Sequence, residues 1–351
     1  MRPGSALLSL AALCLAILAS SSAGSAADIT AQPAESLWDG LAETTFDHLD
    51  HRGGLIQDYV TALEQDSAGF LWIATEGGLA RYDGYRFKPY RNDVDSDTSL
   101  PDNDVLCLHL DQGGQLWVGT QSGGLARYDA VNDRFVRYPS GPGRLNSNEI
   151  TGIADDGGGG LWVGTWGGLN RLDPVAGTSR SFHHNGADPT SLPDDHIWSL
   201  RRDRAGDLWV GTGAGLVRLD RDGSSFVPVE AADAAVAKAL RDSIKSLFQD
   251  DHGRIWVGTF RSGTVLIDPA SGKSRLMPEP AGGLHGTQIN VFAEIRPDVI
   301  WVGTDTSGIE AIDGETGHTK LIRHNPLVAL SLVDDRVTAI LRDRAGLVWV
   351  G

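Results

Sequence analysis

Residues 160–173, GLWVGTWGGLNRLD, read as two short strands around a glycine turn, and the phrase recurs as FLWIATEGGLARYD from Phe70, QLWVGTQSGGLARYD from Gln115 and DLWVGTGAGLVRLD from Asp207. Anchored on tryptophan, the copies fall at Trp72, Trp117, Trp162, Trp209, Trp256, Trp301 and Trp349, spaced by 45, 45, 47, 47, 45 and 48 residues. A period in the mid-forties built from short strands specifies propeller blades. Helical repeats of that length would show apolar residues at a period of about 3.6 and few glycines. This chain has 44 glycines and no such period.

The second copy, DVLCLHLDQGGQLWVGTQSGGLARYDAVNDRFVRYP, predicts four strands: a from Val105 to Asp111, b from Gln115 to Thr120, c from Gly124 to Tyr128 and d from Arg134 to Tyr138. Four antiparallel strands make a blade, so the chain is expected to be an all-β, seven-bladed propeller whose last blade is truncated. An aspartate stands six residues before the tryptophan at Asp66, Asp111, Asp156, Asp203, Asp250 and Asp343, with glycine three before it in the same copies. Aspartate bonds back to turn amides, and glycine takes the positive φ of a tight hairpin. The copy at Trp301 departs, with Ile295 for the aspartate and Asp298 for the glycine. Strand b (LWVGT) is apolar without alternation, as in a sheet covered on both faces, so the seven tryptophans are expected to pack between blades.

Residues 1–27 carry a basic head at Met1 and Arg2, the apolar run LLSLAALCLAILA and a small-residue site ending at Ala27. That pattern is a secretory signal peptide, and its 13 apolar residues fall short of the roughly 20 a membrane-spanning helix needs. Residues 28–45 form a leader, and 46–351 the propeller. TTFDHL (44–49) resembles an outer strand d and is expected to complete the last blade. EAADAAVAKALR (230–241) predicts a short helix inserted between blades four and five. The chain stops at Gly351 inside LVWVG, where six earlier copies continue, so a fragment of a longer protein is expected.

Removing Arg2 with the signal peptide takes the formal charge from −16 to −17. Such acidity argues against nucleic acid or anionic lipid as partner. Cys107, the one cysteine outside the signal peptide, stands in the apolar run VLCLHLD and is expected to be a core residue. The chain contains no phosphate loop, paired metal cysteines or nucleophile elbow, and no catalytic residue, metal site or cofactor is assigned. DVDSDTS at Asp93 has Thr98 where a calcium loop requires glycine. His183 and His184 fall in a loop without further ligands at readable spacing.

Comparison of the copies locates a candidate site. Immediately before the first β-branched residue of strand a stand Tyr59, Asp104, Glu149, His196, Ser243, Gln288 and Arg336. Just after WVGT stand Glu76, Gln121, Trp166, Gly213, Phe260 and Asp305. Blade geometry puts both series around one mouth of the central channel. The framework repeats while these positions do not, and their mixture of carboxylates, amides, a histidine, an arginine and aromatic faces suits a small polar organic ligand.

The repeated D-x-x-G-x-L-W-V-G-T-x-x-G-L-x-R-x-D, with SLPDN or SLPDD before the next blade, resembles the two-component regulator propeller repeat from Phe46 to Gly351. The resemblance implies an exported, periplasmic input domain, followed in such proteins by a membrane helix and a histidine kinase or diguanylate cyclase output. It implies dimeric receptors, membrane attachment only beyond Gly351, and carbohydrate among the candidate ligands. Its motif is structural, so no catalytic residue carries over. Two alternatives stay open: a secreted scaffold for protein partners, and a lyase of the streptogramin-inactivating type, for which His196 with Glu149 is the one readable acid–base pair. Sialidase and quinoprotein propellers place the aspartate five and seven residues before the tryptophan, against six here.

Overall fold

The computed structural model describes residues 44–277 and 288–351, and the signal peptide and the leader up to residue 43 lie outside them. Six of the seven copies form four-stranded antiparallel sheets in the order a-b-c-d, as predicted for the second copy: Val105–Leu110, Leu116–Thr120, Leu125–Asp129 and Arg134–Tyr138. The seventh copy forms a two-stranded sheet, Ile340–Arg342 with Val348–Val350. The expected seven blades are therefore six complete blades and a partial one, because the seventh copy has no residues for strand c. Each strand a lies beside the strand a of the next copy, and that of copy seven lies beside those of copies six and one. The seven inner strands enclose a central channel.

The glycine of WVGT is what lets the blades approach. A Cβ on Gly164 would lie 2.6 Å from Ile197 of the next blade, and one on Gly258 would lie 2.6 Å from Ile289. The first β-branched residue of copies three to seven is thus seated on the preceding blade's glycine, and Gly351 receives Val60 in the same way, which closes the ring. Blade one carries Ala74 at this position and keeps all four strands.

A second device repeats around the channel. A side chain in each copy donates to the carbonyl of the first β-branched residue of the next copy: Thr61 to Val105 at 2.5 Å, Thr151 to Ile197 at 2.5 Å, Asn290 to Val337 at 3.0 Å, and Thr338 to Val60. Each of these four directly follows the first β-branched residue of its copy. In the other three blades the third residue takes over: Cys107 to Ile150 at 3.5 Å, Ser199 to Ile244 and Ser246 to Ile289, both at 3.1 Å. Each such bond is worth about 1 kcal/mol net. Cys107, expected in the core, is half-buried at the edge of the Trp117 cluster, and desolvation pushes its thiol up to about 12.

The aspartate carried by six of the copies holds two groups at once. In blade one, Asp66 Oδ1 accepts from the Ala68 and Phe70 amides while Oδ2 accepts from Trp72 Nε1 at 2.8 Å. The same indole bond forms from Trp117, Trp209, Trp256 and Trp349. In blade three, Arg171 occupies the second oxygen of Asp156. The turn glycines sit at φ between 78° and 93°, and Asp298 takes φ 62° in their place in blade six. With Ile295 replacing the aspartate there, Trp301 Nε1 is buried without a hydrogen-bond partner among the described residues.

Residues 44–50 contain no regular strand, which corrects the expectation of a strand d. Their position nevertheless matches one. Phe135 and Phe226 in strands d of blades two and four donate their amides to Thr98 and Thr190, each two residues before the leucine of SLPDN or SLPDD, and Phe46 donates to Leu330 in the equivalent SLVDD loop. Phe46 also packs against the Trp301 core. The segment therefore occupies the outer place of blade seven, unpaired because strand c is absent. The inserted helix is Ala234–Ala239, capped by Asp233, which accepts from the Ala235 and Val236 amides.

Candidate functional site

The two variable series meet on one rim. In four blades the residue after WVGT donates its amide to the carbonyl of the residue before strand a: Gln121 to Asp104, Gly213 to His196, Phe260 to Ser243 and Asp305 to Gln288. Those bonds fix the two positions side by side whatever side chains they carry. Bonds between blades link them further. Gln121 Nε2 donates to Glu149 at 2.7 Å, Arg336 Nε to Asp305 at 3.1 Å, and the Arg336 guanidinium lies 5.1 Å from the centre of the Tyr59 ring. Trp166 meets His196 edge to face at 5.5 Å.

The rim is divided by charge. Glu76, Asp104 and Glu149 of blades one to three form an acidic arc. Burial first, then the charges of Glu76, Asp102 and Glu149, push the Asp104 carboxyl above the usual carboxylate range. Asp104 Oδ1 is buried without a partner among the described residues. Opposite lies an aromatic arc on blades three to five, where Trp166 and Phe260 keep 43% and 37% of their surface exposed. The unpartnered Asp104 oxygen and aromatic faces open to water are groups a polar ligand can satisfy.

Two members of this arc were not among the residues expected from sequence. Trp198 stands 5.6 Å from Trp166, and Lys245 Nζ lies 3.2 Å from the centre of the Trp198 ring and 5.9 Å from that of Phe260. Burial pushes the Lys245 ammonium down to about 8, opposed by the charge of Asp305; the indole face it rests on also favours the charged form. Both residues stand second in their strands a. Where the third residue, Ser199 or Ser246, makes the inter-blade bond, the second is released from it.

Not every expected contact forms. Gln288 turns its amide to Asn290 at 2.7 Å. His196 pairs through Nδ1 with Asp194 at 2.9 Å, whereas Glu149 is bonded to Gln121, so the acid–base pair of His196 with Glu149 is not assembled. His184 is a loop staple, its Nδ1 2.7 Å from the Leu192 carbonyl oxygen, and His324 repeats this with Leu332 at 2.6 Å. A separate concavity of about 350 Å³ lies between blade four and the inserted helix, lined by Leu216, Val217, Pro228, Val229, Ala237 and Leu240. None of the expected site residues lines it.

The two component regulator propeller family matches residues 54–77, 99–122, 144–167, 191–214 and 240–261. Each stretch runs from the loop before a strand a to the start of the turn after WVGT. Among solved structures, the fold is similar to two extracellular domains from B. thetaiotaomicron assigned to hybrid two component systems. Both have a TM-score of 0.73 over 88% of this chain, with 26% and 22% identity. The matches span 40% and 38% of those longer chains. Virginiamycin B lyase from Staphylococcus aureus is similar in fold alone, at a TM-score of 0.57 and 14% identity over 81% of this chain and 88% of its own. Among curated proteins, histidine kinase P4 of Formosa agariphila is 47% identical over 47 residues, 13% of this chain and 3% of the kinase. Five of the chain's seven copies are thus two component regulator propeller repeats, in a fold similar to those extracellular domains.

Proposed function

We propose that this propeller is the ligand-sensing input domain of an exported signal-transduction receptor, with the ligand held at the divided channel mouth. One observation carries the proposal: the residues that differ from copy to copy lie on a single rim, where in four blades the same backbone bond sets the two variable positions side by side. Random drift at loop positions would leave no reason for acids clustered on one arc, Asp104 with an unpartnered oxygen, and open aromatic rings on the other. The likeness to extracellular domains of hybrid two component systems and the short match to a histidine kinase support an exported, periplasmic location and a histidine kinase output, with a diguanylate cyclase as the alternative output. A small polar ligand, carbohydrate included, fits the mixture of carboxylates, amides and aromatic faces. No catalytic step is assigned to this domain, since His196 is paired with Asp194 and its expected partner Glu149 is engaged elsewhere. The test is a thermal-shift screen of the propeller against small polar solutes. A ligand at 100 times its dissociation constant adds about 2.7 kcal/mol of stability. Hits are expected to lose their shift in Asp104→Ala or Trp166→Ala; a screen without hits, or hits indifferent to both variants, overturns the proposal.

A further inference from the structure

The sequence holds 46 acidic residues against 30 lysines and arginines, so a cation inside the ring would ordinarily find a carboxylate. Lys245 and Arg201 do not. Neither side chain makes an ion pair or hydrogen bond to a described residue, and Arg201 Nε is buried without a partner.

Each rests instead on a ring carried by the other's strand. Arg201 and Trp198 belong to strand a of blade four, Ile197–Arg202, and Lys245 and Phe248 to strand a of blade five, Ile244–Gln249. Lys245 lies over Trp198 at 3.2 Å, and the Arg201 guanidinium lies 5.8 Å from the centre of the Phe248 ring. Trp198 and Lys245 are both second in their strands, Arg201 and Phe248 both fifth. The two cation–ring pairs therefore sit at two levels of one inter-blade seam, three residues or about 10 Å apart along the strands. The upper level opens on the mouth beside Trp166 and Phe260. The lower level faces the channel, where Arg201 and Glu64, three blades away, feel each other's charge without forming an ion pair. An aromatic face holds a cation while leaving N–H donors unspent. One unit of positive charge per level matches a singly charged acid group better than a phosphate, which carries nearly two negative charges.

We propose that the seam between blades four and five binds an elongated dicarboxylate, one carboxylate on Lys245 and the other on Arg201, with its spacer lying along Trp198 and Phe248. The proposal rests on the mouth being a ligand site and narrows the class of ligand. Suberate, azelate and sebacate, linear diacids of increasing length, serve as probes, with their monomethyl esters as controls, in calorimetric titrations of the whole chain. At least one diacid is expected to bind ten-fold or more tighter than its monoester. Lys245→Met and Arg201→Met should each abolish that preference, while Lys245→Arg keeps it. If a methionine variant fails to fold, the diacid-to-monoester ratio of the parent chain, and its collapse as salt is raised, decide the matter. Equal affinity for diacid and monoester, or a preference unchanged in both methionine variants, refutes the assignment. No diacid binding alongside a screening hit that depends on Asp104 or Trp166 overturns the dicarboxylate and leaves the mouth as a site; no hit of any kind removes both.

Discussion

Trp209 and Trp301 occupy equivalent places in blades four and six, and each is 3% exposed. They differ in one bond: Trp209 Nε1 donates to Asp203 Oδ2 at 2.8 Å, whereas Trp301 Nε1 has no partner among the described residues. Replacing either with phenylalanine removes a similar volume from a similar packing site, so the cavity and transfer costs nearly cancel between the two variants. What remains is the bond. Trp209→Phe leaves Asp203 Oδ2 buried without a donor, and a hydrogen bond to a charged group is worth about 1.5–3 kcal/mol. Trp209→Phe is therefore expected to cost about 2 kcal/mol more than Trp301→Phe. For a domain of about 300 residues the unfolding entropy is about 0.6 kcal/mol/K, so the melting temperatures should differ by about 3 °C. Thermal unfolding followed by circular dichroism, checked for independence of scan rate, reads this directly. Equal shifts, or a larger loss from Trp301→Phe, would refute the claim that the six-residue spacing exists to bond the indole.

Three further outcomes follow from the same geometry. Thr338→Val should cost about 1 kcal/mol and speed amide exchange in the ring-closing strand Val60–Gln65, while Thr61→Val should loosen the joint between blades one and two instead. Lys245→Met should stabilise the ligand-free chain at pH 7. The folded pKa of about 8 lies below the free lysine's 10.5, so the cost of burying the charge is full below pH 8 and fades as pH rises to 10.5; a stability gap that does not narrow across that window would contradict the cause. Burial works against ionisation of Asp133, but bonds from Lys88, Tyr128 and Tyr90 hold its carboxyl down to about 2 against 3.8. Its contribution should be complete above pH 3.8 and vanish as pH falls toward 2, and Asp133→Asn should flatten the acid limb of the melting curve in that window.

The repeat made most of the fold legible: a tryptophan every 45 to 48 residues implied blades, and the copies carrying aspartate and glycine formed the hairpins expected of them. The partner of that aspartate was not legible, because an indole nitrogen six residues away enters reach only once the hairpin has formed. The variable rim positions were found by comparing copies, and in four blades a backbone bond sets the two side by side. Trp198 and Lys245 escaped because they lie inside strand a, where a side chain reads as core. A signal was nonetheless present. In V-T-A, I-T-G, I-N-V and V-T-A the second residue can make the inter-blade bond, whereas in V-L-C, I-W-S and I-K-S only the third can, which frees Leu106, Trp198 and Lys245. The incomplete seventh blade and the place of Phe46 within it follow from long-range bonds that no local pattern reveals.

The central claim, that a ligand is held at the mouth rather than elsewhere on the propeller, is tested most directly by the indole nitrogen resonances of the ten tryptophans. Seven of these report on the blades, while Trp166 and Trp198 report on the mouth. Titration with each solute that raises the melting temperature should shift Trp166 and Trp198 in a saturable way and leave the seven blade signals in place. Saturable shifts confined to blade tryptophans, with Trp166 and Trp198 unmoved, would contradict it.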